Sequence, residues 1–572
     1  MARISGGEVL VRCILNEGPR PVFGIPGGQL LPFVDALVRV GRPAGMDYVM
    51  TRHEAAAGNM ADAWARISGQ VGVCCGTVGP GAANLVAAVW VAQADNVPLL
   101  VITPQIHSGR AYPFRGSKQQ LDHFHLFKPI TKWNAVVDRW ERIGELFQRA
   151  MAVAVSGQPG PVHLDIPVDV IYETRDQAEL QLPAPGAYRP LRGPAAPPDL
   201  VQEAAKMLAA ARQPLIHAGS GVLRARAEAA LLALAERLGV PVSATGAARG
   251  IIPESHRLAL SPKQAGANLA LAQADLVLAV GCAFWERDGW GRPPVWGEPD
   301  KQRLIHIDVE PEVVGRNRPV DLALIGDAGE VLSQLLDVLG EMKTEPKEGR
   351  WAERCKKREL EALEALEPDL NSAARPIHPL RLVGEVRRFF GPEAVYVVDG
   401  GNMALWAHLG LRFEAPRRFM FPMHSGHLGV GLPFALGAKM ADPQRPVVIL
   451  HGDGSFMLAC HEAETAARLG LKVIDVIGND RCWSMIKAAQ ASSFGGRFCG
   501  VDLTDVRYDL MAQAMGCHGQ RVTEPDDIRP ALDRAAASGK TAVLDVVLDP
   551  DINMNPPGLD KMTAAWLEGC EM

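Results

Sequence analysis

Two acidic turns in the last third of the chain have the residue types and spacing of a site for a metal-bridged anion. Gly452, Asp453 and Gly454 follow the apolar run 447–450, and Asn479 and Asp480 follow a second apolar run, 473–477. A helical pattern over 458–469 lies between them, so the order reads strand, tight turn, helix, strand, turn. Both turns then fall at the carboxyl edge of neighbouring parallel strands, where open parallel sheets hold ligands. The glycines let the backbone approach a bulky anion, and the amides of Gly454 and Ser455 at a helix start can face phosphate oxygens. Asp453 and Asp480 offer the oxygen ligands that a hard cation prefers. A diphosphate held through Mg2+ fits these residues. A single Gly-Asp-Gly is also a common surface turn; the second polar turn at a matching strand end favours the ligand.

Other chemistry-bearing residues also follow predicted strands. Strand 21–25 ends in Pro26, Gly27 and Gly28, with Gln29 just beyond. Strand 46–50 leads to Thr51, Arg52, His53 and Glu54 at the head of a small-residue helix, where a carboxylate also suits the helix dipole. Strand 71–77 precedes Gly79, Pro80, Gly81 and Asn84, and strand 99–103 precedes a loop carrying Gln119. Strand 394–398 ends in Asp399, Gly400, Gly401 and Asn402, and a further glycine-rich turn carries Gly426 and Leu428 between His424 and Pro433. His424 and His427 flank that turn and are open to acid–base or structural roles.

With these motifs in this order, the chain resembles the thiamine diphosphate (ThDP) enzymes, in the acetolactate synthase-like group that includes benzaldehyde lyase and 2-hydroxyacyl-CoA lyase. The family signature is Gly-Asp-Gly followed, about 25 residues on, by Asn-Asn; Asp480 replaces the second Asn here, and Gly478 to Trp483 looks like the lyase members. The resemblance implies that Glu54 hydrogen-bonds the cofactor's aminopyrimidine and favours its imino tautomer. Pro26, Gly27, Gly28, Pro80 and Asn84 would pack on that ring, and Gln29 and Gln119 would contact substrate. Gly401, Asn402, Gly426, Leu428, Gly452, Asp453, Gly454, Ser455, Asp480, Cys482 and Trp483 would hold the rest of the cofactor, Leu428 propping its two rings into a V. Asp453, Asp480 and Cys482 would serve Mg2+. The implied reaction is decarboxylation of a pyruvate-type 2-oxo acid and carboligation through an enamine. The alternative is a lyase acting on a 2-hydroxyacyl-CoA or 2-hydroxy ketone. In relatives the central domain holds FAD or an ADP-like part of CoA. The flavin fingerprint is reduced here to Gly281, Cys282, Ala283, Phe284, Trp285, Glu286 and Arg287, which leaves both open. The resemblance also implies a homo-oligomer, dimer or tetramer, with active sites between subunits.

The positioning elements alternate strand and helix throughout, so the expected fold is α/β, with three doubly wound parallel-sheet domains at 1–178, 199–342 and 376–555 and a tail at 556–572. A proline-rich linker, 180–198, separates the first two, and a charged helix over 343–366, expected to be solvated, separates the last two. Hydrophobic residues make up 48% of the chain, and its net charge is −6, which gives no basic field for nucleic acid and no membrane-spanning segment. Ten cysteines without C-x-x-C spacing point to a reducing, cytoplasmic setting and a small-molecule substrate.

Overall fold

Short runs of apolar, largely β-branched residues, each followed by a helix, wind three six-stranded parallel sheets along the chain. The computed structural model describes residues 2–111, 113–347 and 349–559. Strands such as Val447–Gly452 and Leu99–Gln105 are buried along nearly their whole length, as strands covered by helices on both faces must be. The first sheet runs in space Tyr48–Met50, Val22–Gly24, Gly72–Cys75, Leu99–Gln105, Val162–Pro167, Trp133–Val136. The third runs Phe419–Met420, Val395–Val398, Val447–Gly452, Ile474–Asn479, Ala542–Val547, His518–Val522. Numbered within each sheet, both have the order 2-1-3-4-6-5, so the two outer units share one winding. The middle sheet has the order 3-2-1-4-5-6, that of dinucleotide-binding folds, with Pro214–Ala218 and Leu276–Val280 at its centre.

The outer units pack on each other through helix Glu54–Ser68 against helix Gly431–Ala441. Their facing residues, including Phe23, Val101, Phe434 and Ile449, form one continuous core. Gly437 makes the close approach possible, because a Cβ there would come within 2.2 Å of the Met60 carbonyl. Each large apolar side chain buried at such a seam contributes roughly 1.5–3 kcal/mol.

Two elements differ from expectation. The helix expected over 458–469 begins only at Glu462 and runs to Leu469; turns at 458–461 separate it from a short helix, Asp453–Met457, that was not expected. Leu458 packs against the Gly429 turn, where a Cβ would sit 2.7 Å from its own, and this contact overrides the helical periodicity. The charged linker helix, Arg350–Glu364, is docked rather than solvated: Trp351, Ala352, Cys355 and Glu359 are buried, and Glu359 accepts from the Ser261 amide at 3.0 Å. Among the described residues no helix is long and apolar enough to cross a membrane. Of the expected tail, residues 560–572 lie outside the described residues.

Candidate functional site

The strand order of the third sheet reverses between Val395–Val398 and Val447–Gly452, which opens a crevice beyond their carboxyl ends. Asp399, fully buried there, ties two turns together. Its Oδ1 accepts from the Gly400 amide at 2.6 Å, and its Oδ2 accepts from the amides of Gly429 and Gly431 at 2.9 and 2.8 Å. Burial pushes its carboxyl up despite the nearby His451 and those amides. Gly426, at φ 64°, faces open space, with no heavy atom within 4 Å of the point where a Cβ would stand, and Leu428 beside it is half-buried. Gly401 caps helix Asn402–Gly410. The Asn402 side chain is buried, its Nδ2 donates to the Asn553 carbonyl at 2.8 Å, and its Oδ1 has no partner.

Asp453 and Asp480 meet at the end of the next two strands. Asp453 is 1% exposed; its Oδ1 accepts from the Gly454 amide at 2.8 Å and its Oδ2 from the Arg481 amide at 2.9 Å. Asp480 accepts from Asn553 Nδ2 at 2.7 Å, from the Ser484 hydroxyl and from the Cys482 amide at 3.2 Å. Burial, and then the charge of Asp480, push the Asp453 carboxyl up to about 7. Two buried carboxylates whose hydrogen bonds come from neutral donors are a ready donor set for a hard divalent cation. Cys482 stands beside that set, its amide donating to Asp480 Oδ1 at 3.2 Å, and burial and Asp480 push its thiol up to about 11. The Trp483 ring lies against Gly454, where a Cβ would come within 2.8 Å of it. Ser455 turns its hydroxyl back onto the Gly452 carbonyl at 3.0 Å.

The first sheet builds a second cluster at its own order reversal. Glu54, 6% exposed, begins helix Glu54–Ser68, and Asn84 Nδ2 donates to its Oε2 at 3.0 Å. Gly81 leaves room for the other oxygen, which a Cβ would approach to 3.1 Å. Glu462, from the third unit, accepts from the Arg52 and His53 amides at 2.9 and 3.1 Å and so fixes the turn that presents Glu54. Gln29 accepts from the Thr77 hydroxyl at 3.3 Å, and Gly27 lies directly over Thr77, while Gly28 gives its carbonyl to the Tyr172 hydroxyl. Pro26 precedes that turn, and Pro80 is the first residue of helix Pro80–Ala94. Gln119 sits at φ 65°, its carbonyl against Gly79.

Several contributors were not visible in the sequence. Behind the Gly79 turn, buried His123 accepts from the Gly79 amide at 3.0 Å and meets Asp165 at 2.9 Å, and the Thr103 hydroxyl donates to the same carboxylate. Asp95 accepts from the Met423 and His424 amides at 3.1 and 3.0 Å, meets His424 Nδ1 at 2.9 Å and pairs with Arg66. Burial opposes its charge, but Arg66 and His424 hold its carboxyl well below the usual range. His424 thus has a structural partner. Asn553 and Ser484 also bear on the carboxylate pair without a motif to mark them. Among the described residues no hydrogen bond joins Glu54, Gln29 or Gln119 to the turns that carry Asp399, Asp453 or Asp480.

In the central sheet, Gly219 and Gly221 pack directly on Gly281, whose carbonyl a Cβ on Gly219 would approach to 2.1 Å. Alanine stands at 283, where the flavin fingerprint has arginine.

Three family models match the chain: the N-terminal TPP binding domain of thiamine pyrophosphate enzymes over residues 4–126, their central domain over 201–335, and their C-terminal TPP binding domain over 399–546. The chain is 34% identical to the probable acetolactate synthase large subunit of Methanocaldococcus jannaschii, over 97% of this chain and 94% of that protein. It is 33% identical to the acetolactate synthase large subunit of Parasynechococcus marenigrum, over 97% and 90% of the two chains. It is 34% identical to a probable acetolactate synthase of Mycobacterium bovis, over 96% of each.

Proposed function

Because the chain belongs to the thiamine pyrophosphate enzyme family, we propose that it is a Mg2+- and ThDP-dependent carboligase of the acetolactate synthase type, acting on a 2-oxo acid of the pyruvate class. The observation that carries this reading is the buried Asp453–Asp480 pair at the order reversal of the third sheet, where burial and the second carboxylate both push the Asp453 carboxyl up. Asp453 and Asp480 would hold Mg2+, whose charge would offset theirs. When bound, ThDP would supply the nucleophilic carbon and the electron sink that decarboxylation of a 2-oxo acid needs.

The chain's own residues orient and tune that group. Glu54 is buried and aimed by Asn84, so it holds a proton against the aminopyrimidine N1′ and keeps the 4′ nitrogen in its basic form. The Gly426 carbonyl would accept from that 4′ nitrogen, and Leu428 would support the cofactor's two rings. Gly401, Asn402 and Gly454 would hold the diphosphate, with the Trp483 ring against Gly454. Gln29 and Gln119 direct amide groups at the substrate carbonyl.

The two clusters are completed by a second copy of the chain, Glu54 of one subunit serving the diphosphate turns of the other. Trp90, Met457, Leu458, Ile486, Phe494 and Phe498, large apolar residues left exposed, support this. None of the described cysteines forms a disulfide and most are buried, which suits a cytoplasmic protein. The test is incubation of purified protein with ThDP, Mg2+ and pyruvate, with products identified by mass spectrometry. 2-Acetolactate is expected. Turnover of 2-hydroxyacyl-CoA esters to an aldehyde or ketone, with pyruvate untouched, would replace carboligase with lyase.

A further inference from the structure

The order reversal of the middle sheet, which the proposed reaction does not use, gathers three side chains of metal-ligating type. His217 lies on the central strand Pro214–Ala218, Cys282 follows the neighbouring strand Leu276–Val280, and Asp288 stands in the loop that continues from it. A ring nitrogen of His217, the Cys282 sulfur and a carboxylate oxygen of Asp288 all lie within 4.8 Å of one another, and Cys282 Sγ is 4.0 Å from Asp288 Oδ2. His217 and Cys282 are each 2% exposed.

The histidine supplies the second observation. Its Nδ1 meets Ser243 Oγ at 2.8 Å, while its Nε2 is buried with no hydrogen-bond partner. A buried polar atom left without a partner costs about 1–3 kcal/mol, and Nδ1–H donated to Ser243 leaves a lone pair on Nε2. That arrangement, one imidazole nitrogen anchored and the other free, is how proteins orient histidines that bind metals. The ring is held further by Trp296, edge-on at 5.0 Å, and the loop by Trp296 Nε1, which donates to the Asp288 carbonyl at 2.6 Å. His306, on the next strand, donates to the Cys282 carbonyl at 2.9 Å and fixes the turn from which the sulfur projects.

We propose that His217, Cys282 and Asp288 form a binding site for a divalent transition metal of borderline softness, zinc being the best match to an N, S, O donor set. Zinc bonds of about 2.0–2.3 Å set tetrahedral ligand atoms roughly 3.3–3.8 Å apart, so the three groups close by about 1 Å on binding. The metal–sulfur bond forms as the thiol proton leaves to solvent. Thiolate and carboxylate then neutralise the cation, which is why Lys263, Arg287 and His424, the positively charged or titratable groups near Asp288, do not exclude it. A fourth position remains for water. The bound metal would pin loop 282–288 to the sheet. Arg287 and Trp285 of that loop face Phe421 and His424 of the third unit, at 5.4 and 5.7 Å, so the pin reaches the seam between units.

The test uses full-length Cys499→Ser protein, which lacks the one described cysteine that is fully exposed, loaded with ThDP and saturating Mg2+. Titration with Co2+ is expected to give one ion per chain and a near-ultraviolet sulfur-to-cobalt charge-transfer band that Zn2+ abolishes. Cys282→Ser should remove the band, and Ser243→Ala should weaken Co2+ affinity roughly 10–100-fold, as loss of a supporting hydrogen bond does. Uptake without a sulfur band, a band that survives Cys282→Ser, or no stoichiometric uptake overturns the proposal. Should Cys282→Ser fail to fold, Ser243→Ala decides, since unchanged affinity there also overturns it.

Discussion

In the proposed reaction Glu54 and Asp453 carry the chemistry at the residue scale, and each makes a separate prediction. Glu54→Gln keeps the hydrogen bond from Asn84 but cannot hold a proton for the cofactor. Loss of one acid–base group lowers kcat about 10²–10⁴-fold, so steady-state kinetics should show at least the lower figure with an unchanged thermal midpoint. Asp453 sets a pH dependence. Its carboxyl sits at about 7 in the fold, above the value of about 3.9 of an unfolded chain. Without a cation the buried charge therefore opposes folding increasingly as pH rises from about 4 to about 7, and the penalty is complete above that. Mg2+ must displace this proton, so calorimetry should find Mg2+ affinity falling about tenfold per pH unit below about 7 and level above it. These residues were legible because glycine and acid types cluster just past apolar runs. Asp399, Asn553, Glu462 and His123 were not marked as site residues, because their importance lies in partners brought close only by folding: Asp399 joins turns 30 or so positions apart, and Asn553 reaches back to Asp480 from the end of the described chain.

At the element scale, the strands expected at 21–25, 99–103 and 394–398 are found at Val22–Gly24, Leu99–Gln105 and Val395–Val398, because fully buried parallel strands leave continuous apolar runs. Short edge strands such as Phe419–Met420 and Ala259–Leu260 have too few residues to form a pattern, and they went unread. The late start of helix Glu462–Leu469 and the docked helix Arg350–Glu364 show the other limit, since in each a tertiary contact outweighs local periodicity or charge. Helix Glu54–Ser68 presents Glu54 and rests on Gly437. Gly437→Ala forces a methyl into the Met60 carbonyl, so the helices must separate. We expect a loss of about 1–3 kcal/mol in unfolding free energy by denaturant titration, with activity falling in parallel because Glu54 moves with its helix. A variant as stable and active as the parent would show that this seam does not position the glutamate.

The whole molecule joins two units of identical winding, one carrying the acid and the other the metal turns. The resemblance implies a site shared between copies; in the folded chain Glu462 and Asp95 tie the two units together, while among the described residues no hydrogen bond joins Glu54 to the turns that carry Asp399, Asp453 or Asp480. A site shared between copies makes activity depend on association, so specific activity should fall on dilution below the dissociation constant of the dimer and recover on concentration. The most direct measurement mixes two inactive variants, Glu54→Gln and Asp453→Asn, under conditions of subunit exchange verified by native mass spectrometry. If Glu54 of one subunit serves Asp453 of the other, half of the sites in each mixed dimer are intact, and random mixing restores roughly a quarter of parental activity. Mixed dimers that form and remain inactive would contradict the account.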